Sequence, residues 1–436
     1  MKKYPKMKPS GVEWVGEVPE GWEVKKLKYF AEIKLGKMLT PDDKGDYSLK
    51  PYLRAQNLQW FKPDLNDVKE MWFSEKELEM YRVEKNDLLV SEGGEVGRTC
   101  IWNDEIREVY IQNSVNKVTI QEGDSAKFFL YCFTSSAGRG YFDAIVNRVS
   151  IAHLTKEKLK EVEFPYPHST EQTTIAAYLD RKTAQIDQSI IEKQGLIELF
   201  REERQAIINH AVTKGIRPGV KMKDSGVEWI GEVPEGWVVK KNGYLCEIKR
   251  GSGYQYITEV FDNENCEAVI RISDFNNFNP ILATKIDAFD KYRVFKNDIL
   301  IAGTGASAGI TLFVNDEMEG MVHSYNALRL KVFGINPKLL FYEFNSHFIF
   351  EQMNLSFTGS AQHFLDVEGI ANFQISVPPM DEQVKIVAYL DQKTAQIDTA
   401  ILGIQQEIAL LQEYRQALTS EAVTGKVDVR GEEKAA

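Results

Sequence analysis

The sequence predicts an α+β fold built twice: two globular domains joined by two long helices packed as an antiparallel coiled coil, with a pseudo-two-fold internal repeat. Three observations predict it. SGVEWVGEVPEGW at residues 10–22 returns as SGVEWIGEVPEGW at 225–237, with 12 of 13 positions identical. EQTTIAAYLDRKTAQID at 171–187 returns as EQVKIVAYLDQKTAQID at 382–398, with 13 of 17 agreeing. Each of these second blocks opens a proline-free stretch in which a stripe of mostly apolar residues recurs in alternating steps of three and four, the spacing of a coiled-coil seam. Self-similarity of this kind marks two copies of one structural unit of roughly 215 residues.

In chain order, residues 1–169 form the first domain, entered at Pro19-Glu20-Gly21-Trp22. Short β-type runs follow, such as 87–91 (DLLVS), broken by Gly, Asn and Pro, with helical pieces such as 74–80 (SEKELEM). Pro165 and Pro167 close the domain, because Pro cannot donate to a strand and starts a helix well. Residues 170–215 are the first helical spacer. Leu179, Thr183, Ile186, Ile190, Lys193, Ile197, Phe200, Arg204, Ile207 and Ala211 form its stripe. Residues 216–380 form the second domain, with 298–302 (DILIA) answering the first domain's run and Pro378 and Pro379 at its close. Residues 381–426 are the second spacer, whose stripe is Leu390, Thr394, Ile397, Ile401, Ile404, Ile408, Leu411, Arg415, Leu418 and Ala422; 427–436 are a C-terminal tail. The helices, about 170–212 and 381–423, would each span about 50–60 Å at roughly 1.5 Å per residue. Alone, either would leave its stripe wet, so each is the simplest partner of the other. Between the repeated blocks the halves diverge: 37–80 and 99–165 share little with 252–291 and 310–376. The frame repeats and its contents vary.

Composition removes several function classes. Apolar residues at 43% and charged residues at 27% describe an ordinary globular chain. The basic N-terminus lacks the apolar core of a signal peptide, and no stretch is long and apolar enough to cross a bilayer. Cys100, Cys132, Cys246 and Cys266 are dispersed, which points to reduced thiols in a cytoplasmic protein and away from disulfides or zinc. Catalytic motifs are missing as well. The only adjacent prolines, Val377-Pro378-Pro379-Met380, lack the amide and aromatic of an amino-methyltransferase, and there is no phosphate-binding loop. Gly303-Thr304-Gly305-Ala306-Ser307-Ala308 reads as a tight turn, because another strand follows it where a dinucleotide site needs a helix. Glu32-Ile33-Lys34 and Glu247-Ile248-Lys249 read as strands without the upstream Asp of a nuclease. We expect no catalytic residue, cofactor or metal.

The motifs Pro-Glu-Gly-Trp, Lys-Asn-Asp-(Leu/Ile)-Leu and Glu-Gln-x-x-Ile-x-x-Tyr-Leu-Asp, each present twice and in order, resemble those of the specificity subunit of a type I restriction-modification system. The resemblance covers nearly the whole chain. It implies a non-catalytic subunit whose two target-recognition domains read an asymmetric, gapped, double-stranded DNA target. It also implies assembly with two methyltransferase subunits through the repeated helices, and with motor-nuclease subunits in the full complex. The residue-level reading agrees: repeated helices suit one partner bound twice, and divergent domains on a shared frame suit two unlike half-sites about one helical turn or more apart. A coiled-coil adaptor holding two protein-binding domains is the competing reading.

Base edges are read mainly by Arg, Lys, Asn, Gln, Ser and Thr on exposed turns. In the first domain the candidates are Arg54, Gln56 and Asn57, then Arg98, then Gln112, Asn113, Ser114, Asn116 and Lys117, and last Arg139, Asn147, Arg148 and Ser150. In the second they are Arg271, Ser273, Asn276 and Asn277, then Thr304 and Ser307, then His323, Ser324 and Asn326, and last Thr358, Ser360 and Gln362. For each, the alternative is a capped turn or plain solvation. Tyr178 and Tyr389 lie on the repeated helical surface and are candidates to meet the methyltransferase. They and Trp14, Trp22, Trp229 and Trp237 could equally pin segments to the domain cores.

The net charge of −11 opposes DNA binding only until it is divided. Residues 1–170 carry −1, 171–215 carry −1, 216–380 carry −5 and 381–436 carry −4. Such weakly charged readers should hold DNA poorly alone, with strong salt dependence, and tightly once partners add phosphate contacts.

Overall fold

A computed structural model describes residues 2–146, 153–253, 256–260, 265–356 and 364–431. Its two compact units do not follow chain order: one is Met1–Lys193 with Gln406–Ala436, the other Gln194–Gln405. Each long helix therefore contributes its first part to one unit and its last part to the other.

In the first unit a four-stranded antiparallel sheet runs in the order Ala31–Leu35, Val115–Ile120, Leu88–Ser91, Thr99–Ile101. Leu88–Ser91 is buried along its whole length, as a central strand covered on both faces must be. A second sheet places Ser48–Leu53 between Lys69–Phe73, antiparallel, and Tyr110–Ile111, parallel. The helix Ala126–Gly138 is capped by Ser125, whose side chain accepts from the Phe128 N–H. It drives Phe128, Phe129 and Phe133 into the core, where Phe129 stacks on Phe30 at 4.4 Å and Phe133 meets Phe164 at 4.8 Å.

The domain closes on a strand, Glu163–Tyr166, which pairs with Glu23–Lys26 and contains Pro165 opposite Val24. In an antiparallel pair alternate N–H groups point away from the neighbour, so a proline fits a two-stranded edge. The second unit repeats the plan. Its sheets run Cys246–Arg250, Ala327–Val332, Ile299–Ala302, Thr311–Phe313 and Ile281–Thr284, Cys266–Ile270, Val322–His323, and Val238–Lys241 pairs with Gln374–Val377.

The long helices are Ser169–Lys214 and Met380–Val423, 46 and 44 residues, or about 65–70 Å each, somewhat longer than the sequence reading. In the first unit Leu179 and Ile186 share a core with Leu418 and Ala422. Asp187 pairs with Arg415 at 2.8 Å and Lys193 with Glu407. Numbers rise on one segment as they fall on the other, so these segments run antiparallel. In the second unit Ala211 shares a core with Leu390, and Arg204 pairs with Asp398 at 2.9 Å. Asp187–Arg415 and Asp398–Arg204 are the same pair of repeat positions, 211 residues apart.

The repeated motifs explain how each domain is fixed to its helix. Trp22 Nε1 donates to Glu171 at 3.0 Å and Trp237 Nε1 to Glu382 at 3.1 Å, so the entrance motif meets the helix-start motif in both units. Buried Gln172 and Gln383 accept from the N–H of Ser125 and Asn336 and donate to the carbonyls of Pro167 and Pro378. The Tyr131 hydroxyl reaches Asp180 at 3.0 Å and Thr183 at 3.3 Å; Tyr342 reaches Asp391 at 2.6 Å and Thr394 at 3.2 Å. Burial first, and the carboxylate beside it, hold both phenols well above their ordinary pKa.

The Lys-Asn-Asp motif is structural too. Asn86 and Asn297 take the left-handed conformation, with φ of 70° and 72°, and the next Asp accepts the N–H of Glu84 or Phe295 to close the turn. The tail belongs to the first unit. Val427 and Val429 are buried in its core, the Asp428 N–H donates to the Lys2 carbonyl at 2.9 Å, and Arg430 lies over the Tyr4 ring at 4.6 Å.

Candidate nucleic-acid interface

The first domain brings three separate runs of predicted residues to one locus. The turn Ala55–Asn57 follows the strand Ser48–Leu53, and the turn 112–114 precedes Val115–Ile120. The Gln112 N–H donates to Leu53 O at 2.9 Å and the Ala55 N–H to Ser114 Oγ at 2.9 Å. Ser114 Oγ donates to Gln112 Oε1 at 2.6 Å, and Arg98 Nη2 donates to Ala55 O at 3.0 Å. From behind, the Lys37 N–H donates to Ile111 O, and a Cβ at Gly36 would collide with the Gln112 carbonyl. That close approach is why the strand Ala31–Leu35 ends in glycine.

Within this locus the candidates differ. Gln56 is exposed, whereas Arg54, Arg98, Gln112, Asn113 and Ser114 are half-buried. Asn57 and Asn116 are buried: Asn57 caps Arg54 and donates to the carbonyls of Asp64 and Asp67, and Asn116 donates to Leu154 O. In this conformation they build the turns and have no surface to offer a base edge. The arginines are paired inside the domain, Arg54 with Asp67 and Arg98 with Glu95. Lys117 donates to Arg82 O and lies near Asp87, and Arg139 donates to Trp14 O beside the entrance segment. Neither is tied to the turns of the locus. Asn147, Arg148 and Ser150 lie outside the described residues.

The second domain forms the equivalent locus. The Ser324 N–H donates to Ile270 O at 3.0 Å, the Ser252 N–H to His323 O at 2.9 Å and the Gly303 N–H to Asn326 O at 2.7 Å. Gly251 abuts the Ser324 carbonyl as Gly36 abuts that of Gln112. Ser273, Asn276 and Asn277 are exposed, and Thr304, Ser307 and Asn326 are half-buried. Arg271 is held by Asp274 at 3.2 Å. His323 and Ser324 are buried, and burial pushes the imidazole down to about 4, which leaves it neutral at pH 7. Thr358, Ser360 and Gln362 lie outside the described residues.

Three exposed apolar or aromatic side chains here are not among the sequence candidates: Met38 and Leu39 beside the first locus, and Tyr325 at the tip of the second. That search looked for polar donors and acceptors and passed over apolar letters. Their signal was local, since each sits within a few residues of a repeated glycine or turn.

Each unit also holds a cleft at matching repeat positions. One of about 620 Å³ is lined by Ser135, Phe142 and Gln416, and one of about 400 Å³ by Ser346, Met353 and Gln205. Of the aromatic candidates, Tyr178 is buried in the first core and Tyr389 is half-buried against the second. Trp14, Trp22 and Trp237 are buried, whereas Trp229 is 40% exposed. Among the described residues no group of His, Cys, Asp or Glu could hold a metal ion, and no helix is long and apolar enough to cross a membrane.

The family model described as the type I restriction modification DNA specificity domain matches residues 19–198 and 234–410. The chain is 24% identical over 363 residues to the type I restriction enzyme EcoBI specificity subunit of Escherichia coli, covering 80% of this chain and 75% of that one. It is 25% identical over 437 residues to the MjaVIII specificity subunit of Methanocaldococcus jannaschii, covering 95% and 94%. Among solved structures, a chain from work on complex assembly and conformational transition of the type I R-M system superposes with a TM-score of 0.73 at 16% identity, over 94% of this chain and 99% of that one. The HsdS subunit of Thermoanaerobacter tengcongensis gives 0.54 at 15% identity, over 94% and 98%. At these identities the structural likeness speaks for the fold.

Proposed function

The chain belongs to the type I restriction-modification DNA specificity family, and from that premise we propose that it is the non-catalytic subunit that reads an asymmetric, bipartite double-stranded DNA target. Each domain reads one half-site. The long helices, whose segments pair antiparallel in each unit, serve as the spacer between the two readers. The observation that carries this reading is a frame repeated contact for contact around turns that differ. Tyr131–Asp180–Thr183 and Tyr342–Asp391–Thr394 are the same anchor. At equivalent positions in the loci, however, one domain presents Gln112-Asn113-Ser114 and the other Ser324-Tyr325-Asn326. Identical anchors with unlike tips suit two unlike sequences.

The matching clefts support a partner bound twice, and we assign them to two methyltransferase subunits, with motor-nuclease subunits added in the full complex. Arg54, Arg98 and Arg271 are each paired with an acid of their own domain, which supports dependence on those partners for phosphate contacts.

Helix length tests the reading. Inserting four residues, about one turn, after Thr183 adds about 6 Å along the helix, the rise of one to two base pairs. Single-molecule sequencing of modified cellular DNA should show both half-sites kept and the gap lengthened by one or two base pairs. An unchanged gap, or modification with no gapped motif at all, would refute the spacer role; failure of the assembled complex to bind any DNA would favour the adaptor reading.

A further inference from the structure

Tyr325 is the side chain that the second locus turns outward. It follows Ser324 in a turn closed by the Ala327 N–H donating to Ser324 O at 2.9 Å, and the residue is 43% exposed while His323 and Ser324 beside it are buried. An exposed tyrosine at a turn tip is unremarkable by itself, but this one is braced. The Arg250 guanidinium lies 5.3 Å from the Tyr325 ring centroid and 4.6 Å from that of Phe364. Arg250 ends the strand Cys246–Arg250, and its Nη2 donates to Leu365 O at 2.8 Å. The cation is therefore fixed by a sheet on one side and a loop on the other, and it supports the ring by cation–π attraction. The first domain has Leu35 and Asn113 at the two corresponding positions. Its tip is a hydrogen-bonding amide where the second domain has a ring.

Resting on the DNA-specificity reading, we propose that Tyr325 is a specificity-determining residue of the second domain, packing its ring against a base of the second half-site, with Arg250 as the positioning residue behind it. The ring offers a flat apolar face to a base edge in the groove, where a thymine methyl is the group it can distinguish. The guanidinium behind it limits the ring's motion, so less freedom is lost on contact. An aromatic contact of this kind has no donor–acceptor code, which is why a search for hydrogen-bonding letters passes over it.

The test uses the full chain assembled with its methyltransferase. The modified motif is sequenced, and affinity is measured on duplexes varied one base pair at a time, for wild type, Tyr325→Phe, Tyr325→Ala, Arg250→Lys and Arg250→Leu. Tyr325→Phe should keep the motif. Tyr325→Ala should weaken binding about 5- to 100-fold and relax preference at one position of the second half-site, leaving the first half-site unchanged. Arg250→Leu should relax that same position, and Arg250→Lys, which keeps a charge behind the ring, should retain it. A wild-type motif in Tyr325→Ala overturns the proposal. So does a loss spread over both half-sites, or a loss in Tyr325→Phe equal to that in Tyr325→Ala, since the hydroxyl would then carry the contact. A wild-type complex that marks no gapped motif would instead remove the underlying reading, and this outcome is recognised without any variant.

Discussion

Replacing Glu343 by Gln should abolish a pH dependence built into the second unit. Glu343 lies on the helix Pro337–Phe344 with no exposed surface and, among the described residues, no cationic partner. Its Oε1 is 2.9 Å from Ser376 Oγ, and Ser376 Oγ donates to Val212 O at 2.6 Å. A serine has one proton. With that proton on Val212 O, the contact to Glu343 is made by the proton of the acid, so the folded state holds a neutral carboxyl. Burial accordingly keeps this group well above the usual carboxylate range. In the unfolded chain the same group ionises near pH 4.3. Between those limits the folded state binds the extra proton, so stability falls as pH rises, by at most about 1.4 kcal/mol per unit. From pH 5 to pH 8 the ceiling is about 4 kcal/mol, a large share of a domain's stability. The assay is guanidinium unfolding of full-length wild type and Glu343→Gln at pH 5, 6, 7 and 8. The amide's own packing penalty does not vary with pH, so it cancels from the slope. Glu343→Gln should gain on wild type with every rise in pH. Parallel curves, or a wild type that gains on the variant, would refute the protonated carboxyl.

Two further outcomes follow from packing. Removing residues 427–436 should destabilise the first unit by several kcal/mol, because burying Val427 and Val429 contributes about 1.5–3 kcal/mol each; unfolding transitions assigned by fluorescence should show the loss there and leave the second unit in place. Gly36→Ala should push the Gln112 turn off the end of the strand Ala31–Leu35 and cost about 1–3 kcal/mol, with the effect in sequenced motifs confined to the first half-site.

The long helices were legible because their stripe depends only on spacing. Leu179, Thr183 and Ile186, with Leu390, Thr394 and Ile397, are buried as the three-and-four stepping requires. The two loci were only half legible. Polar letters on glycine-rich turns marked turns that the fold brings together, but they do not say which residues face inward. Asn57, Asn116, His323 and Ser324 read like their neighbours and are buried, because the turn backbones need side-chain partners that only the folded neighbours reveal. Tyr325 was illegible for the opposite reason. Its meaning depends on Arg250 and Phe364, which are far from it in sequence and are brought beside it by the sheet and the following loop.

The repeat also separates what each motif contributes. Trp22 with Glu171, the Asn86 turn and the Tyr131 anchor all have counterparts in the second unit, and all of them hold backbone or helix in place. None of these repeated contacts places a charged group at a turn tip. At the tips, where the halves differ, the arginines are again tied inward, Arg54 and Arg98 by Asp67 and Glu95, and Arg271 by Asp274. Positive charge that is paired inside a domain adds little to attraction for phosphate. Among the described residues, the exposed groups at the tips include the neutral amides of Gln56, Asn276 and Asn277, the apolar Met38 and Leu39, and the ring of Tyr325. Neutral groups of this kind discriminate between bases far better than they supply affinity. On the proposed function, specificity and affinity are therefore divided in this chain: the variable tips would choose a sequence, and the repeated frame would recruit the subunits that hold the DNA.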